Sequence, residues 1–326
     1  MIAVLGAGAW GTALAHCVAE GGERVLLWAR EPDVADAINA RHENPLFLPG
    51  HRLHAGIRAT SALSDLAGHD PWLVVTPAQH LRQTLAAAPL DSAPQLVLCA
   101  KGIEAGTGRL VAEVAAEVAP DCARAVLSGP SFAADVAAGK PTAVTLAAPT
   151  LDAAEALARR LARPAFRPYA TDDIIGCEVG GAVKNVLAIA CGVVVGADLG
   201  ESARAAVVAR GFAEMSRFAV ARGGRAETVA GLSGLGDLVL TCGSPQSRNM
   251  SLGIAIGKGS RVEDVLAGRT TVAEGAWTAP VLVEAARALG VEMPIAEAVS
   301  DLLAHRIDVP GAISRLLSRP LRADGT

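Results

Sequence analysis

Lys184 sits within Gly180-Gly181-Ala182-Val183-Lys184-Asn185, which opens the most apolar helical stretch of the chain and places an amide directly after the charge. Removal from water draws a lysine's pKa down toward neutrality, which suits a group that gives or takes a proton. When a carbonyl is reduced by hydride, its oxygen needs such a proton, and a partly desolvated ammonium also stabilises the charge that develops there. The alternative is a lysine with a buried stem and a head that reaches water. On local context the two readings stand level.

Two further clusters follow. Gly231-Leu232-Ser233-Gly234-Leu235-Gly236-Asp237-Leu238 packs glycines ahead of an acid, with Thr241 beyond. Such glycines mark close backbone approach, and Asp237 fits either a partner that orients a lysine or a helix N-cap. Ser244-Pro245-Gln246-Ser247-Arg248-Asn249 reads as a helix start, with Ser244 at the N-cap and Pro245 at the first helical position. Free amides, the positive end of a helix and the Arg248 guanidinium converge there, which makes a seat for phosphate or carboxylate. The plainer reading is a capped surface helix with a solvated arginine.

The N-terminus supplies another anion seat. Gly6-Ala7-Gly8-Ala9-Trp10-Gly11 lies between an apolar run, Ile2 to Leu5, and a helical pattern, Thr12 to Ala19. In a dinucleotide-binding turn Gly6 permits the tight bend, Gly8 lets backbone approach a pyrophosphate, and Gly11 lets helix and strand pack closely. The phosphates then rest on the free amides of the helix N-terminus. At the end of the second strand, where NAD-selective folds usually carry an acid, Arg30 comes first and Glu31 one place later. That order leans toward NADPH, with NADH still open.

These residues need a frame. Up to about residue 172, short apolar runs alternate with alanine-rich helical patterns, the signature of a doubly wound parallel sheet. The candidate strands are Ile2–Leu5, Val25–Trp28, Trp72–Val75, Leu96–Cys99, Ala125–Leu127, Ala143–Ala147 and Phe166–Tyr169. Ligands bind beyond the carboxyl ends of such strands. Lys101 follows one of them. Gly129 and Ser131 follow another, in Ser128-Gly129-Pro130-Ser131, which reads as a glycine turn and a proline-started helix. Taken alone, Lys101 is equally a surface residue and Ser131 a simple cap. Beyond residue 172 the strand signal fades and the pattern becomes helical. The expectation is therefore an α/β fold of two domains: a Rossmann-type dinucleotide-binding domain over residues 1–172 and an all-α substrate and catalytic domain over residues 173–326, closing over the nicotinamide end of the cofactor.

Composition narrows the function classes. The chain has 326 residues, 51% of them hydrophobic, 3% aromatic and 19% charged, with a formal net charge of −4. That balance offers no general basic surface for nucleic acid or anionic membrane. The apolar run from Val186 to Ala197 stops at Asp198, short of the ~18–20 residues of a span, and reads as a buried helix. Cys17, Cys99, Cys122, Cys177, Cys191 and Cys242 are scattered with no CxxC, and no leader pattern opens the chain, so a reducing cytoplasm is expected. Only His51 and His54 among the histidines stand at helix-compatible spacing, with no cysteine or carboxylate partner at a metal-ligand interval, so no metal is expected, and no GxSxG elbow is present. The tail after Ser318 is expected to fray.

Together these segments resemble the bacterial-type NAD(P)-dependent glycerol-3-phosphate dehydrogenases, which interconvert dihydroxyacetone phosphate and sn-glycerol 3-phosphate. The resemblance rests on ordered motifs spanning nearly the whole chain. They are GAGAWGTALA at 6, FLPG at 47, AKGIE at 100, SGPSFA at 128, GGAVKN at 180, SARAAVVARGFAEM at 202, GLGDLVLTC at 234, QSRN at 246 and AEG at 273. It implies that Lys184 is the general acid/base, with Lys101 and Asp237 around the substrate oxygen. Substrate contact would fall to Asn185, Ser247, Arg248 and Asn249, with Gly129 and Ser131 from the first domain. Beside the glycines, Ala9, Trp10, Arg30, Lys101, Ala133, Arg248, Val272 and Glu274 match cofactor contacts. The chain departs from the pattern at Ala134-Asp135, where a basic-acidic pair is common, and in the more apolar run from Cys191 to Gly200.

The resemblance also implies a small phosphorylated three-carbon substrate, a role in glycerophospholipid synthesis, and no membrane span. The apolar second half is compatible with a homodimer and equally with internal packing. The rivals are a β-hydroxyacid dehydrogenase or ketopantoate reductase of similar build, and a non-catalytic nucleotide sensor.

Overall fold

The computed structural model describes residues 1–92, 94–267 and 273–318. Val272 and the tail expected to fray lie outside the described residues. The chain forms two compact units, the first made of Met1–Lys101 and Val111–Ile174, the second of Gly102–Leu110 and Ile175–Thr326. The AKGIE motif therefore crosses from one unit into the other. Ile103 and Leu110 are buried in the core of the second.

An eight-stranded sheet forms the first unit. Its strands are β1 (Ile2–Leu5), β2 (Val25–Trp28), β5 (Ile57–Thr60), β6 (Trp72–Val74), β7 (Leu96–Leu98), β8 (Arg124–Ser128), β9 (Thr142–Ala147) and β10 (Phe166–Thr171). The order is β10-β9-β8-β7-β6-β1-β2-β5. β1 is buried at all four positions, as a central strand covered on both faces must be. It pairs in parallel with β2 on one side and β6 on the other, Leu5 lying level with Trp28 and Val74. Strand order reverses at β1, so the crevice that such sheets use for ligands opens directly above Gly6.

Two expectations need correction here. The sheet is not wholly parallel: β8 and β9 run antiparallel, with Val126 opposite Ala147. A parallel return requires a crossover long enough to bring the chain back along the sheet, usually a helix. Between β8 and β9 the only helix is the short Ala133–Ala137, so the chain turns back instead. Strands were also missed. β5 is a short edge strand with Arg58 exposed, and β3 (Glu43–Asn44) with β4 (Leu48–Arg52) forms a small antiparallel hairpin containing Pro49-Gly50. β5 is held from outside its own sequence, because the Asn39 carboxamide donates to the Ala59 carbonyl and accepts from the Ala59 amide.

Apart from an isolated bridge between Ile103 and Leu110, the described part of the second unit is helical. Its spine is the helix Ile174–Gly196. Gly180 and Gly181 do not open this helix, as their sequence suggested, but lie inside it. A Cβ on Gly180 would stand 2.6 Å from the Ser233 carbonyl oxygen, so the glycine is there for contact with another segment. The apolar stretch is also longer than the run from Val186 to Ala197 indicated. At 23 residues the helix is long and apolar enough to cross a membrane, yet 83% of its most apolar window is buried inside the protein. Its apolar surface is covered by the helices around it.

Candidate active site

In the first unit, the structure builds a turn shaped for a dinucleotide. Gly6 adopts φ +121°, open to glycine and strained for other residues. A Cβ on Gly11 would stand 1.9 Å from the Gly6 carbonyl oxygen, so helix and strand could not meet as they do with any side chain there. Gly8, at the N-cap of the helix Ala9–Glu20, has nothing within 4 Å of its would-be Cβ, and the first turn carries no acid. That is the open, positively polarised approach a pyrophosphate requires. Trp10, in the same turn, carries a buried Nε1 without a hydrogen-bond partner among the described residues. These features fit a dinucleotide.

Other matched residues of this unit emerge at the same strand ends. Arg30 is exposed just past β2, and its guanidinium lies 2.7 Å from the Glu31 carboxylate. Past β7, the Lys101 ammonium donates to the Gly129 carbonyl at 3.0 Å, and the Ser131 hydroxyl donates to the same oxygen at 3.0 Å. Gly129 has φ +150°, and a Cβ there would stand 2.8 Å from the Val144 Cα. Ser131 is not a cap, and Pro130 does not start a helix: the short helix begins at Ala133, with Phe132 at its N-cap. The closed turn around the Gly129 carbonyl takes up the residues the sequence assigned to a first helical turn. Cys99 precedes this corner, and burial pushes its thiol up to about 12, which leaves no thiolate for chemistry.

The second unit brings an ammonium, a carboxylate and a hydroxyl together. The buried Lys184 ammonium stands 2.7 Å from Asp237 Oδ1 and 2.8 Å from Thr241 Oγ1. Asp237 and Thr241 are four apart on the helix Asp237–Gly243 and so share a face, with the Thr241 hydroxyl 3.3 Å from Asp237 Oδ1. Asp237 is 1% exposed and heads its helix, but its carboxylate is turned onto the lysine. The glycines before it make this approach feasible: Ser233 and Gly234 lie against Gly180, one turn ahead of Lys184. Sequence reasoning left Thr241 out of the site. Its spacing from Asp237 was the signal.

A second corner adjoins the first. Asn185 Oδ1 accepts from Asn249 Nδ2 at 2.9 Å, and Asn249 Oδ1 accepts from the Gly275 amide at 3.0 Å. Asn249 thus joins the long helix, its own helix Arg248–Gly257 and the start of Glu274–Ala288, which brings Glu274 to the same place. The helix-start reading of this segment holds with a shift. Ser247, not Ser244, is the N-cap, its Oγ accepting from the Met250 amide at 3.2 Å. Ser244 ends the preceding helix, and its hydroxyl accepts from the Gln246 amide. Arg248 is consequently the first helical residue, and it is exposed. Its helix lies backbone to backbone on the long helix, with Gly192 and Gly196 meeting Gly253 and Gly257. Among the described residues, no group of three or more His, Cys, Asp or Glu stands together as a metal site.

The sequence patterns of NAD-dependent glycerol-3-phosphate dehydrogenase, N-terminus and C-terminus, match residues 1–154 and 173–314. The chain belongs to this family. It is 58% identical to a glycerol-3-phosphate dehydrogenase [NAD(P)+] of Erythrobacter litoralis over 323 residues, covering 99% of this chain and 97% of that protein. It is 55% identical to the protein of the same name from Parvibaculum lavamentivorans, over 99% of this chain and 98% of the relative. A crystal structure of glycerol-3-phosphate dehydrogenase from Coxiella burnetii superimposes with a TM-score of 0.92 at 38% identity, covering 98% of both chains. The Rossmann-type sheet followed by a helical unit is thus the fold of this dehydrogenase family.

Proposed function

We propose that this chain interconverts dihydroxyacetone phosphate and sn-glycerol 3-phosphate with NADPH or NADH, supplying the glycerol phosphate backbone of phospholipids. The observation that carries this reading is the Lys184 ammonium held between Asp237 and Thr241. In this reading residues 1–172 carry most of the dinucleotide contacts, and residues 173–326 carry most of the substrate contacts and the proton transfer.

When bound, the reduced nicotinamide supplies hydride to the ketone carbon. Lys184 gives its proton to the ketone oxygen as negative charge develops there, and takes it back from the alcohol in the reverse direction. Asp237 and Thr241 engage two of the three ammonium donors and so fix its direction. Ser247, Arg248 and Asn249 hold the phosphate by guanidinium and helix-end amides, with Asn185 setting the spacing to the lysine. Lys101, Gly129 and Ser131 complete the substrate contacts. Gly6, Gly8, Ala9, Trp10, Gly11, Arg30, Lys101, Ala133, Arg248, Val272 and Glu274 carry the dinucleotide, and the exposed Arg30 favours NADPH.

The protein is read as cytoplasmic, supported by six cysteines that all remain free thiols. Steady-state assays of dihydroxyacetone phosphate, ketopantoate and hydroxyisobutyrate with each nicotinamide test the function. Turnover is expected of the first alone, faster at low cofactor with NADPH. Reduction of ketopantoate with dihydroxyacetone phosphate inert would overturn the assignment.

A further inference from the structure

Asn44 takes no part in the chemistry above, yet it is fully buried at the turn end of the β3–β4 hairpin, level with Leu48. Its Nδ2 donates to the Ala7 carbonyl at 2.8 Å and to Thr12 Oγ1 at 2.8 Å, while its Oδ1 accepts from the Phe47 amide at 3.1 Å. An amide on one side and a carbonyl on the other leave one orientation for the carboxamide. Thr12, also fully buried, donates its own hydroxyl to the Ala7 carbonyl at 3.2 Å. The carbonyl in the middle of Gly6-Ala7-Gly8 is therefore clamped twice.

Across a trans peptide the carbonyl and the following N–H point opposite ways. Drawing the Ala7 carbonyl onto Asn44 turns the Gly8 N–H away from the hairpin. Gly8 stands where the surroundings are open, and its own carbonyl already accepts the first helical bond, from the Thr12 amide at 2.9 Å. Glycine at position 8 makes the Ala7–Gly8 peptide cheap to rotate, so its direction needs an outside hold.

We propose that Asn44, with Thr12, is a positioning residue for the dinucleotide: it aims the Gly8 amide at the pyrophosphate. This rests on the reading of the Gly6–Gly11 turn as the dinucleotide seat. The effect belongs to the pyrophosphate, which every dinucleotide shares. It is the same for NADH and NADPH and absent from the substrate.

Calorimetric binding of NADH and of ADP-ribose to wild type, Asn44→Ala, Thr12→Val and Thr12→Ser tests it, beside steady-state kinetics on dihydroxyacetone phosphate. Asn44→Ala and Thr12→Val are expected to raise the Kd of both ligands roughly tenfold, the size of a lost hydrogen bond. Thr12→Ser keeps the hydroxyl and stays near wild type. In all three, kcat at saturating NADH and KM for dihydroxyacetone phosphate remain close to wild type, which general loosening of the fold would not allow. Thr12→Val changes one hydroxyl to a methyl, so it decides the matter if Asn44→Ala fails to fold. Unchanged Kd values in a folded Thr12→Val overturn the clamp. A wild type that binds neither ligand overturns the reading of the turn itself.

Discussion

Asn185 Oδ1 accepts a hydrogen bond from Asn249 Nδ2 at 2.9 Å, joining the residue after Lys184 to the residue after Arg248. Both carboxamides are buried, at 5% and 7% exposure, where an unmade bond is costly. Lys184 and Arg248 lie on different helices, and this bond couples the two. In the proposed reaction such a link matters, because the reacting carbon of a short substrate is in place only when its phosphate is.

Lys184→Met should keep cofactor binding and lose turnover, since proton transfer typically contributes about 10²–10⁴-fold and charge stabilisation adds to that. Cofactor titration and single-turnover reduction of dihydroxyacetone phosphate measure the two separately. A rate near that of wild type would take Lys184 out of the role.

Asp237→Asn keeps the shape and removes the charge beside the ammonium at 2.7 Å. An opposite charge favours the protonated lysine, so its loss draws the lysine's pKa down. The limb of the pH–rate profile for ketone reduction that reports a protonated acid should therefore move to lower pH. An unmoved limb would show that some other group controls it.

Arg248→Ala should act mainly on KM for the phosphorylated ketone. A lost charge-assisted contact costs about 1.5–3 kcal/mol, roughly ten- to hundredfold in affinity. The same measurement with a non-phosphorylated ketone analogue should show little change. Equal losses for both compounds would place the phosphate elsewhere.

How far the sequence alone reaches can be judged at particular residues. The runs at Ile2–Leu5 and Val25–Trp28 are strands with those bounds: β1 is buried at every position and β2 at alternate ones, and both carry a continuous apolar signal. β5 and the β3–β4 hairpin carry no such signal, being short, half-exposed and held by side chains such as Asn39 from elsewhere in the chain. The antiparallel turn between β8 and β9 depends on a crossover too short to return, a matter of geometry rather than composition. Within the candidate site, residue type and context single out Lys184, Asp237 and Arg248. Thr241 is signalled only by its four-residue spacing from Asp237, whereas Asn44 looks ordinary in sequence and only the packing shows that it meets a carbonyl. Gly234 was legible as a close approach, but not that Gly180 of the long helix is what it meets.

Gly253→Ala tests how the anion seat is held in register. A Cβ there would stand 2.1 Å from the Ile189 carbonyl oxygen of the long helix. The helices must part to admit it, at a cost of about 1–3 kcal/mol typical of overpacking. Because Arg248 begins the displaced helix, KM for dihydroxyacetone phosphate should rise along with the loss in melting temperature. A loss of stability with KM unmoved would mean that the glycine crossing sets only the packing.

Glu214 gives the fold a pH dependence of its own. Its carboxylate, 2% exposed, accepts from the Ile295 amide at 2.8 Å and the Ala296 amide at 3.2 Å, capping the helix Pro294–Leu303 from another helix. Burial pushes its pKa up to about 7, against the two amide bonds and Arg217, which favour the charge, and with Glu297 adding to the rise. In the unfolded chain the group returns to about 4.5, so the folded state binds the proton more tightly. The contribution to stability is complete below about 4.5 and is lost as pH rises through about 7, a difference of about 3 kcal/mol. Urea unfolding of wild type and Glu214→Gln at pH 5, 6, 7 and 8 isolates this group, since every other titration is shared. Stability of the wild type relative to the variant should fall steadily across that range and level off above it. A gap that stays constant with pH would mean that Glu214 is ionised throughout and that the two amides outweigh its burial.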